Sequence, residues 1–126
     1  MSAENAKLIE ASAQEIQLEL IRRWGFNAFD GKEVYADLIA NPHLWQGVAM
    51  DSSFPLTKLR DMVDDGLWNV DLLYIWATDE QCARQLLKFG EKWRASSVEI
   101  CSVEEMNEQM GTLGKKERRL VTMWWD

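Results

Sequence analysis

Five consecutive apolar residues, Leu72 to Trp76, sit inside "LWNVDLLYIWAT", residues 67 to 78. A strand sends successive side chains to opposite faces. An unbroken apolar run is therefore how a strand covered on both sides reads, and the stretch 68–77 is the strongest strand of the chain. The ending "RLVTMWW" makes the same demand. Trp124 and Trp125 are neighbours and cannot share a face, so a sheet covered on both sides would bury one in each layer.

Three further strands are predicted near 45–50, 97–101 and 119–125, alternating with helices. Pro55 suits a first helical turn, Leu56, Leu59 and Val63 share a face, and Gly66 follows as a cap. This gives a helix over 55–65. Thr78 with Gln81 forms a capping box before a helix over 79–92, and Ser102 with Glu105 forms another before a short helix to about Met110. Upstream, Ile9, Ala13, Ile16, Leu20 and Trp24 recur at helical spacing. They predict a helix from Ala3 to Trp24, with Ser2 as a candidate cap. Asp30 with Glu33 opens a second helix, which Pro42 stops near Asn41.

From residue 45 the order is strand, helix, strand, helix, strand, helix, strand. Such alternation predicts an α/β fold. The expected form is a mainly parallel sheet of about four strands, with helices on both faces and two N-terminal helices. An α+β fold with a mixed sheet is the alternative. No repeat, linker or composition break divides residues 1–126, so one domain is expected.

The chain carries 21 acidic and 14 basic residues, a formal net charge of −7. That balance argues against nucleic acid, whose binding rests on Lys and Arg neutralising phosphates, and against anionic membranes. It suits a basic protein partner. No run of about 18 apolar residues is present, and the N-terminus lacks the apolar core of a signal peptide. Cys82 and Cys101 have no metal-type spacing. A cytoplasmic protein with free thiols and no cofactor is expected.

In a parallel sheet a ligand sits beyond the carboxyl ends of the strands. Those ends would carry Asp51 and Ser53, Asp79, Ser102, and Asp126, an acidic edge rich in hydroxyls. It could hold a cation or receive a basic loop. Helix capping accounts for Ser53, Thr78 and Ser102 equally well. Asp64 and Asp65 break a local rule. They sit in the last turn of helix 55–65, where carboxylates oppose the dipole, and an acidic patch kept for a partner would explain them.

Seven tryptophans is a high count. Most fall on apolar faces or strands, and one or two are expected at an interface, with Trp124 and Trp125 the first candidates. His43, the sole histidine, lies in the turn "NPHLW" without a nucleophile motif around it. "GTLGKK", 111–116, lacks the spacing and the strand–helix setting of a phosphate loop. The basic residues Lys115, Lys116, Arg118 and Arg119 read as a solvated loop and strand entry that could meet an acidic patch on a second copy.

Two functions remain. The first is a small acidic interaction protein without catalysis, self-associating as a homodimer or binding a basic protein partner in the manner of an inhibitor or immunity protein. The strand–helix–strand run 69–101 is similar in layout to small α/β proteins, acidic ribonuclease inhibitors of the barstar type among them. Layout alone fixes no function. The second is a cation- or small-ligand-binding protein, or small enzyme, in which Asp51, Asp79 and Asp126 work together beside a tryptophan wall.

Overall fold

The computed structural model describes residues 10–26, 28–51, 55–66, 71–102, 104–105 and 119–126. Four strands form the main sheet: β3 (Trp45–Asp51), β4 (Leu72–Ala77), β5 (Ser97–Ile100) and β6 (Arg119–Trp124). A two-stranded ribbon of β1 (Gly25–Phe26) and β2 (Phe29–Asp30) lies upstream. The main sheet runs β3-β4-β6-β5, and every neighbouring pair is antiparallel. The mainly parallel sheet expected from the alternation is therefore wrong, and the fold is a mixed alpha/beta one.

The physical reason lies in the connections. Helix α4 (Glu80–Lys92) joins β4 to β5, and these two strands do run in the same direction. They are not neighbours, because β6 enters between them and is antiparallel to both. Between β3 and β4, helix α3 (Pro55–Asp65) belongs to a link between antiparallel neighbours. Such a link need not cross the sheet. Alternation of strand and helix cannot distinguish this arrangement from a parallel one.

Two helices fully within the described residues precede the sheet, α1 (Ala13–Arg23) and α2 (Gly31–Ala40). Of the long helix expected over Ala3 to Trp24, residues 1–9 lie outside the described residues; Glu10 is helical, the backbone leaves the helix at Ala11 and Ser12, and α1 opens at Ala13. Ser12 caps it, accepting from the Glu15 amide while its own N–H donates to the Glu15 carboxylate. The expected Ser2 cap lies outside the described residues. Asp30 caps α2 as its spacing implied, accepting from the Lys32 and Glu33 amides. Gly31 is needed where the two helices meet: a Cβ there would lie 2.0 Å from the Ile21 carbonyl oxygen and 2.3 Å from that of Trp24.

The main core lies between one sheet face and the helices. Leu18 and Ile21 of α1, Val34 and Leu38 of α2, and Ala83 and Leu86 of α4 meet Val48, Leu73, Ile75, Val121 and Met123. Beside them Trp24 stacks on Phe29 at 3.7 Å between centroids, and Trp125 meets Phe29 edge-on at 4.7 Å. Asp37 ties α2 to α4 by accepting from Lys92 and from the Trp93 indole.

Helices on both faces are not seen among the described residues. Leu73, Ile75 and Ala77 of β4 are buried, while Leu72, Tyr74 and Trp76 on the other face are half-buried. Of the short helix expected over 103–110, only Glu104 and Glu105 are described, in helical conformation.

The outer edge of β3 is closed by side chains. The Gln14 amide donates to the Val48 carbonyl (2.8 Å) and accepts from the Val48 N–H (2.9 Å), and Gln17 accepts from the Met50 N–H (3.1 Å). Gln14 thus offers β3 the donor and acceptor that a fifth strand would, which protects an edge otherwise open to foreign strands.

Candidate functional site

The antiparallel order divides the expected acidic edge in two. Asp51 pairs across to Leu72, and Leu72 to Trp124, so Asp51, Trp124 and Asp126 belong to one end of the sheet. Asp79 and Ser102 follow the carboxyl ends of β4 and β5 at the other end. The six residues of β4 separate the two ends by roughly 17 Å, at about 3.3 Å per residue. Asp51, Asp79 and Asp126 therefore do not converge on one point. Among the described residues, no group of three or more His, Cys, Asp or Glu is placed to hold a metal ion.

Asp79 and Ser102 serve as caps. Asp79 accepts from the Cys82 amide at 2.7 Å, and that bond holds its carboxyl below the ordinary value. Ser102 accepts from the Glu105 amide at 3.1 Å. Thr78, the expected cap of α4, instead donates to the His43 carbonyl and accepts from Gln46. His43 lies exposed in a 3-10 turn. Asp64 and Asp65 end α3 on the surface, and Ser53 lies outside the described residues, as do residues 111–116 and 118.

The site the structure does build lies on the sheet face away from α1, α2 and α4. A groove of about 320 Å³ runs there, lined by Tyr74, Glu99, Cys101, Glu105, Thr122 and Trp124 among others. The pleat makes it: Leu72, Tyr74, Thr122, Trp124, Ser97 and Glu99 are cross-strand partners on three adjacent strands. Trp124 stands 38 % exposed, whereas Trp125 is 1 % exposed. The pair is split across the sheet as its adjacency demanded, but only one of the two is buried.

Trp124 is held in place. Its indole N–H donates to Asp71 Oδ2 at 3.3 Å, while the Asp71 backbone carbonyl takes the Trp125 amide at 3.0 Å. Asp71 Oδ1 is buried and finds no hydrogen-bond partner among the described residues. Burial first, then the nearby Asp51 carboxylate, raises the Tyr74 phenol above its ordinary value. Cys101 is buried at the groove floor, 3.5 Å from the Thr122 hydroxyl. Tyr74 and Trp124 give the groove its aromatic wall, and among the described residues its charged lining groups are Glu99 and Glu105.

Sequence reasoning reached Asp51 and Trp124 here but missed Tyr74, Asp71 and Glu99. The available signal was the period of two: Tyr74 and Trp76 share one face of β4, with Leu72. The unbroken apolar run concealed it.

A larger concavity of about 690 Å³ has the opposite character, with Arg22, Arg23 and Lys32 around Trp24, Asp30 and Gly31. Both arginines are bonded to Glu19, whose carboxyl they pull down to about 2, with Arg22 the larger influence. That corner already contains its own counter-ion.

Comparison with known proteins gives no guide: no protein-family model, no curated protein and no solved structure matches the chain. No helix among the described residues is long and apolar enough to cross a membrane.

Proposed function

We propose that the chain is a non-catalytic binding protein whose acidic, aromatic sheet face receives a basic segment of a protein partner. One observation carries the reading. Trp124 is a large exposed ring, fixed by Asp71, in a groove whose charged groups are carboxylates. Tryptophan is the commonest kind of interface anchor, and its ring also attracts Arg and Lys cations. The net charge of −7 would steer a basic partner toward this protein.

The test is an NMR titration with an arginine-rich peptide and with a glutamate-rich peptide of equal length. The arginine peptide should move the Trp124 indole N–H and the amides of Glu99 and Thr122, and the effect should weaken with salt. Trp124→Ala should reduce the affinity at least about tenfold, as loss of an anchor does. Equal response to both peptides, or shifts confined to the opposite face, would remove the proposal.

A further inference from the structure

Helix α3 leaves an apolar stripe in solvent. Leu56 is 80 % exposed, Leu59 50 %, Met62 44 % and Val63 74 %. At about 100° per residue these four fall within a third of the helix circumference. No described helix or strand packs extensively against α3.

The charges on the same helix run against its dipole. Its first turn holds no acid and its last turn no base. In sequence Lys58 and Arg60 come before Asp61, Asp64 and Asp65. Alone, the acidic last turn faces the negative helix end. Rotated by 180° onto itself, the pattern becomes complementary. The last-turn acids of one copy then lie beside the positive first turn of the other, and both junctions improve together.

We propose that α3 is a self-association element: two copies pair α3 antiparallel, apolar stripe to apolar stripe, across a two-fold axis. An isologous contact needs only this one surface. It explains the exposed stripe and the reversed charges at once, whereas an anionic membrane would repel the same acids. A three-turn helix is only about 16 Å long, so the interface is smaller than a standard one and the dimer readily dissociates.

Sedimentation equilibrium from micromolar to millimolar concentration tests this. The wild type should pass from monomer to dimer mass. Leu59→Glu should stay monomeric with an unchanged melting temperature, since the side chain lies outside the core. Lys58→Glu with Arg60→Glu, and separately Asp64→Lys with Asp65→Lys, should each weaken dimerisation at least about tenfold by opposing like charges. An equimolar mixture of these two variants should recover the dimer, because both junctions are then complementary. A wild type monomeric throughout, or a dimer indifferent to Leu59→Glu, would overturn the proposal. A mixture no tighter than its components would overturn the antiparallel arrangement.

Discussion

Trp124 and Trp125 differ in one thing only, the side of the sheet they face. Trp125 is sealed against Trp24 and Phe29, with its indole N–H on the Trp93 carbonyl at 2.9 Å. Trp124, one residue earlier, rests on the open face with its indole on a carboxylate. Identical side chains thus become a core residue and a surface anchor because the helices that build the main core, α1, α2 and α4, all lie on one face. An antiparallel sheet permits that one-sidedness, since its links need not cross the sheet. The residue type says nothing about it.

The sharpest way to break the comparison is at its buried member. Trp125→Ala removes one of the two indoles of an aromatic cluster and should cost about 3–5 kcal/mol, read from a denaturant melt followed by far-UV circular dichroism. Trp125→Phe retains an edge for Phe29 but strands the Trp93 carbonyl, and should fall between Ala and wild type. A Trp125→Ala cost near that of an exposed substitution would show that the helical layer does not close over it.

The closed edge of β3 gives a smaller effect with a local signature. Gln14→Ala leaves the Val48 N–H and carbonyl without their partner and should cost about 1–2 kcal/mol, since both are part-buried. Hydrogen exchange would localise it. The Val48 amide should lose protection while Met50, held by Gln17, retains it. Equal loss at both would mean that α1 detaches as a unit.

How much of this was legible depends on the range of the signal. Short-range chemistry was readable: Asp30 before α2, Ser102 with Glu105, and Gly66, found at φ 69° just past the end of α3. The four strands of the main sheet lie near their expected positions, because β-branched and aromatic runs mark them locally, but β4 opens at Leu72, with 68–70 outside the described residues, and the β1–β2 ribbon was not expected. Strand order did not, because it is decided by where β6 inserts, and no local pattern encodes an insertion. The candidate site inherited that error. Asp51 and Asp79 were grouped because parallel strands would end together, and antiparallel ones cannot. The Gln14 closure was equally hidden, since a glutamine on a helix face gives no sign that it faces a strand 34 residues away.

The weakest effect on stability is the most informative about function. Trp124→Ala deletes an exposed ring and one long hydrogen bond to Asp71, and should change stability by less than about 1 kcal/mol. The Trp125 amide bond to the Asp71 backbone carbonyl does not depend on the Trp124 side chain, so the core should survive. If the open face binds a basic segment, the same substitution should nevertheless abolish most of the affinity for the arginine-rich peptide. Trp124→Phe separates the two contributions. The ring alone preserves cation–π contact, whereas the Asp71 bond is lost and the ring is free to turn. Affinity restored fully by Phe would assign the anchor to the aromatic surface. Affinity restored only in part would assign the remainder to the orientation that Asp71 imposes. A Trp124→Ala protein as destabilised as Trp125→Ala would mean that both faces carry a core, and the contrast between the two tryptophans would disappear.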